Sequence, residues 1–90
     1  MKLTLPINDR ARKYGYIIWT KPIEKQVADF LGDREDVEIY FNDTFIGSKR
    51  IDWKHRRISI GYSKTRKLPL NLKYFFLKFE NNGQLKVSCQ

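Results

Sequence analysis

Histidine and cysteine occur once each in this 90-residue chain, at His55 and Cys89. One imidazole and one thiol fall short of the ligand set that a soft-metal site requires, so no metal or other cofactor is expected. A single cysteine also excludes an internal disulfide framework and points to a reducing compartment, the cytoplasm. There is no glycine-rich phosphate loop, and neither Ser48 nor Ser59 stands in a nucleophile elbow. His55 has no carboxylate assigned to orient it, because the nearest, Asp52, is as readily taken by a neighbouring arginine. An enzyme is therefore not expected; the one catalytic alternative is a magnesium-dependent hydrolase using Asp29, Asp33 and Asp36. The opening residues Met1 to Pro6 lack the apolar core of a secretory signal, and no window approaches the roughly 18 apolar residues of a membrane span.

Negative charge is the other scarcity, and it is local. Residues 1–45 carry seven Lys or Arg against eight Asp or Glu, whereas residues 46–90 carry eleven against two. Between Gly47 and Leu68 the cations Lys49, Arg50, Lys54, Arg56, Arg57, Lys64, Arg66 and Lys67 meet one acid, Asp52, which leaves a balance of +7 over 22 residues. Such a density repels itself unless an anionic partner meets it.

Hydrophobic patterning supplies a scaffold. The composition, 41% hydrophobic and 14% aromatic, is too apolar for a disordered chain, and the length allows one domain spanning residues 1–90. Leu3, Leu5 and Ile7 alternate with Lys2, Thr4 and Pro6, as in an edge strand, and residues 8–13 read as a loop whose three cations either sit in a solvated turn or reach toward phosphates. Tyr14 to Trp19 reads as a strand. Thr20 then caps a helix carrying Ile23, Val27, Phe30 and Leu31 on one face, closed by Gly32. Val37 to Phe41 and the strand beginning at Thr44 form a hairpin around Asn42-Asp43. The chain runs extended from Ser48 to Trp53, turns at Lys54-His55-Arg56, and continues as a strand from Arg57 to Tyr62, with Ile58, Ile60 and Tyr62 directed inward. Ser63 to Leu68 allows one helical turn before Pro69. A last hairpin joins residues 74–80 to residues 84–88 around Asn81-Asn82-Gly83.

The same order occurs twice: strand, helical stretch, hairpin. The first copy rests on Gly15, Ile17, Trp19, Leu31, Gly32, Val37, Glu38, Ile39, Asn42 and Asp43, and the second on Arg57, Ile58, Ile60, Leu68, Phe75, Leu77, Phe79, Asn82 and Gly83. This unit resembles the swapped-hairpin family of AbrB, MazE and MraZ proteins, although Tyr16 stands where that family has an arginine. The resemblance implies a pseudo-twofold tandem fold, with residues 14–51 and 52–90 as the two units and residues 1–13 as a strand and loop before them. One chain would then supply both halves of a barrel that two chains usually share, giving a monomer; without the duplication a homodimer is expected. The expected fold is α+β, a small, mostly antiparallel β-barrel-like domain with one short helix.

The cationic stretch and the resemblance together point to a nucleic-acid-binding protein, DNA favoured over RNA, acting in transcription regulation. Arginines fork onto phosphates and guanine edges while lysines act as point charges, so the eight cations named above are the expected contacts, Arg56 and Arg57 first among them. The alternative is a phage- or plasmid-encoded inhibitor, antitoxin-like, that lays the same surface on an acidic protein.

Overall fold

Leu3 and Leu5 are buried between exposed Lys2, Thr4 and Pro6 in strand β1, Lys2–Pro6, of the computed structural model, which describes residues 2–80 and 83–89. This strand lies antiparallel on β6, Tyr74–Phe79, with Pro6 opposite Tyr74 at the sheet edge, where a missing N–H breaks no ladder.

Residues 8–13, expected as a loop, instead form helix α1, Asp9–Tyr14. Asn8 caps it through Oδ1, which accepts the Ala11 N–H at 2.8 Å, and Ala11 itself is fully buried. Strand β2 is short, Tyr16–Ile18. The helix expected from Thr20 begins as a 3₁₀ turn, Lys21–Ile23, and becomes α2, Glu24–Leu31. Val27, Phe30 and Leu31 are buried as their spacing requires, and Gly32 ends the helix with its N–H on the Ala28 carbonyl at 2.8 Å.

Strands β3, Asp36–Phe41, and β4, Thr44–Asp52, form the expected hairpin, with Asn42 at φ 48° and Asp43 at φ 69° between them. Strand β5 covers only Arg57–Ser59, because the chain leaves the sheet at Ile60 and enters α3, Tyr62–Thr65. Tyr62 is consequently 52% exposed rather than a core ring. Strand β7, Gln84–Cys89, pairs with β6; the Asn81-Asn82 part of that turn, including Asn82 of the repeat, lies outside the described residues.

The seven strands form one mixed sheet in the order β1-β6-β7-β3-β4-β5-β2, antiparallel throughout except where β3 runs parallel to β7. The two edge strands approach each other, so the sheet is nearly closed around Leu5, Ile17, Ile39, Ile58, Ile60, Phe75, Leu77 and Leu85. A radius of gyration of 11.9 Å matches the roughly 12 Å of a compact chain of this length. The result is a small barrel-like α+β domain with three short α-helices among the described residues, where the expected fold had one. Of the other two, α3 falls where one helical turn was allowed from Ser63, without a side-chain cap, and α1, capped by Asn8, is too short to show a hydrophobic period.

The two proposed units share an order of elements but not a set of pairings. Strand β2 lies antiparallel on β5, residues 16–18 against 57–59. However, β4 pairs with β5 and β3 with β7, and among the described residues neither pairing is matched by its exchange partner, β7 with β2 or β6 with β4.

Candidate functional site

The outward side of the β4–β5 connection is organised by one carboxylate. Asp52 ends β4 opposite Arg57, and paired residues of an antiparallel ladder project to the same face. Asp52 Oδ1 accepts the backbone N–H of His55 at 3.0 Å, and the carboxylate meets His55 Nδ1 at 3.0 and 3.1 Å. Arg57 Nε lies 3.4 Å from Oδ2. The backbone N–H of His55 is the main reason the Asp52 carboxyl sits below its ordinary value of 3.8; desolvation opposes the shift, and the His55 side chain and Arg57 reinforce it. Asp52 therefore takes both the histidine and an arginine. Together they tie a tight turn in which Arg56 adopts a left-handed φ of 56°.

Beside this turn runs a groove of about 590 Å³, lined by Tyr16, Arg50, Asp52, Trp53, Lys54, His55, Arg57 and Ser59, with Glu35 and Ile51. Trp53 packs edge-on against buried Trp19, ring centroids 5.8 Å apart, and donates its indole N–H to the Arg34 carbonyl at 2.9 Å. The Arg57 guanidinium stands 4.6 Å over the Tyr16 ring.

The eight expected contacts do not share one face. Lys49 lies opposite buried Val37 and so leans to the core side of β4, while Arg50 lies opposite Asp36 on the outer side. Arg56 Nε is buried 3.3 Å from Glu24 Oε1, an ion pair out of line for a hydrogen bond, which neutralises it with an acid from the first half of the chain. Arg56 and Arg57, expected to lead the contacts, are thus the two cations of the stretch held by carboxylates among the described residues. Among the described residues Lys49, Arg50, Lys54, Lys64, Arg66 and Lys67 form no ion pair. Lys64 lies in α3, and Arg66 and Lys67 follow it. Arg66 donates to the Tyr62 hydroxyl at 2.9 Å and lies 5.0 Å over its ring. The acidic and basic halves interleave in space because the β3–β4 hairpin places Asp36 against Arg50.

Several positioning side chains around α3 were not evident from the sequence. Arg12, within the expected loop, donates to the carbonyls of Leu68 at 3.0 Å, Pro69 at 3.3 Å and Leu72, clamping the segment after α3. Fully buried Thr65 returns the contact, donating from Oγ1 to the Arg12 carbonyl at 2.8 Å. Gly15 lies against α3 so closely that a Cβ there would stand 2.2 Å from the Tyr62 backbone nitrogen. The only advance signal was Asn8 three residues before Ala11, a cap ahead of a small apolar residue.

Among the described residues no three His, Cys, Asp or Glu side chains are grouped to hold a metal ion, so Asp29, Asp33 and Asp36 do not form the magnesium site of the hydrolase alternative. No described helix is long and apolar enough to cross a membrane. Comparison of the chain with protein-family models, curated proteins and solved structures found no match.

Proposed function

We propose that this protein binds duplex DNA through the outward cations of the β4–β5 connection and the α3 segment, and acts as a small transcriptional regulator. One observation carries the reading: a stretch with an excess of seven positive charges folds onto a rigid sheet, and among the described residues most of its cations have no carboxylate partner. Eight cations, less core-leaning Lys49 and the paired Arg56 and Arg57, leave five: Arg50, Lys54, Lys64, Arg66 and Lys67. Phosphate contacts from such groups give affinity and register without by themselves choosing a sequence.

The reading includes a cytoplasmic monomer with a binding rather than a catalytic role and no cofactor. Kinship with the swapped-hairpin family rests on the short motifs and the β2–β5 pairing, while the unmatched β3–β7 and β4–β5 pairings count against a strict twofold.

The test is the salt dependence of binding to mixed-sequence duplex DNA. Each phosphate neutralised contributes about −0.9 to the slope of log affinity against log salt, so five cations set a limit of about −4.5. A slope between about −2 and −4.5 is expected. No retention at low salt, or a flat response, overturns the proposal, and a lysate partner that survives nuclease would favour the acidic-protein alternative.

A further inference from the structure

Two large rings stand in solvent on either side of one backbone contact. Tyr14, the last residue of α1, is 49% exposed, and Tyr62, the first of α3, is 52% exposed. The helix ends that carry them meet at Gly15, whose carbonyl accepts the N–H groups of Ile60 at 2.7 Å and Gly61 at 3.2 Å, and whose missing side chain lets the Tyr62 backbone into contact. Behind Tyr14 lies Tyr16, stacked on it with ring centroids 5.9 Å apart and planes 29° from parallel. The rings have cations on their faces: Lys13 Nζ is 5.4 Å from the Tyr14 centroid, Arg66 lies over Tyr62, and Arg57 covers Tyr16.

We infer that Tyr14 and Tyr62, exposed on the two helix ends that meet at Gly15 and accompanied by Lys13, Lys64 and Arg66, form a stacking platform for the unpaired bases of single-stranded DNA. The inference rests on the reading of DNA as the ligand and adds which form of DNA this end of the surface takes. Flat rings next to mobile cations suit a single strand, because every base offers a π-face and every nucleotide a phosphate. A duplex hides those faces within its own stack and cannot use them. One face of the Tyr14 ring carries a lysine ammonium on a flexible stem. An arriving base takes that face while Lys13 moves to the neighbouring phosphate, so a cation–π contact is exchanged for base stacking and an ion pair. Tyr62 works in the same way with Arg66. The platform is rigid where it must be, since α1 and α3 are locked by Gly15, by the Thr65 hydroxyl and by the Arg12 clamp.

The test measures affinity by fluorescence anisotropy for a labelled oligothymidylate of about a dozen nucleotides, within the range one small binding domain covers, for a duplex of equal length and for oligouridylate. Proteins compared are the wild type, Tyr14→Ala/Tyr62→Ala and Tyr14→Phe/Tyr62→Phe. The alanine pair is expected to weaken oligothymidylate binding at least about tenfold, given what each stacked base contributes, and duplex binding less than about threefold. The phenylalanine pair, which keeps the rings, is expected to stay within about threefold of wild type on both. Duplex binding with no response of oligothymidylate to the alanine pair overturns the platform and leaves the basic-face reading standing. Preference for oligouridylate over oligothymidylate overturns the assignment to DNA. Failure to bind any of the three removes the platform and the underlying reading together.

Discussion

Replacing Gly15 with alanine probes the contact on which the cationic end of the molecule depends. Gly15 has φ 73° and ψ 45°, where an L-residue with a Cβ is strained by about 1–2 kcal/mol. The new methyl would stand 2.2 Å from Tyr62 N, 2.3 Å from Gly61 C and 2.6 Å from Tyr62 Cα. All three are backbone atoms, so no flexible side chain can swing aside and α3 must move away. That movement breaks the Ile60 and Gly61 hydrogen bonds to the Gly15 carbonyl, at about 1 kcal/mol each. The combined loss is about 3–4 kcal/mol, a large share of the roughly 5–13 kcal/mol that holds a domain of this length. Urea unfolding followed by tryptophan fluorescence, with a slope of about 1–3 kcal/mol per molar, should show the midpoint falling by about 1 M or more. A loss smaller than the strain alone would show that α1 and α3 are not pinned together at this point.

Three further outcomes follow from the same geometry. Asp52 has a folded-state value below 3.8, so the stabilisation from its bonds to His55 and Arg57 is complete above that value and is lost as pH falls through the lowered one; Asp52→Asn should be less stable than wild type near neutrality and converge with it in acid, measured by unfolding across that range. Arg12→Met should cost about 2–3 kcal/mol in the same unfolding assay, because it leaves three carbonyls of the Leu68–Leu72 segment without their guanidinium, and a neutral result would mean that water replaces it freely. Arg56→Ala and Glu24→Ala, removing a pair whose side chains are 32% and 41% exposed, should show a coupling of no more than about 1 kcal/mol in a double-mutant cycle, and Arg56→Ala should change DNA affinity less than Lys54→Ala does.

Much of the scaffold was readable from residue order. Alternation at Leu3 and Leu5, the helical spacing of Val27, Phe30 and Leu31, and Asn42-Asp43 between two β-branched or aromatic runs each constrain local structure through short-range physics, and the structure follows them. Helix α1 is not legible in the sequence because a six-residue helix shows no full hydrophobic period; its marks are a cap, Asn8, and one buried alanine. Tyr62 lies outside the core because strand parity ends after Ser59, and Gly61, at φ 96°, turns the chain out of the sheet. The cationic stretch was legible as charge but not as surface. Lys49 and Arg50 are neighbours in sequence and so face opposite ways in β4, and the acids that meet Arg56 and Arg57 come from an element 32 residues back in one case and from across a tight turn in the other. Those pairings depend on strand register, which charge counting does not contain.

Docking of a polyanion on the outward cations around the β4–β5 turn and α3, as proposed, can be followed by amide chemical-shift mapping of the labelled protein as a short DNA is added. Shifts are expected to concentrate at Arg50, Lys54 and residues 62–67, with the α2 surface around Lys25 and Asp29 unmoved. Shifts centred on α2 or on the β3–β4 hairpin tip at Asn42 and Asp43, with the turn and α3 silent, would contradict it.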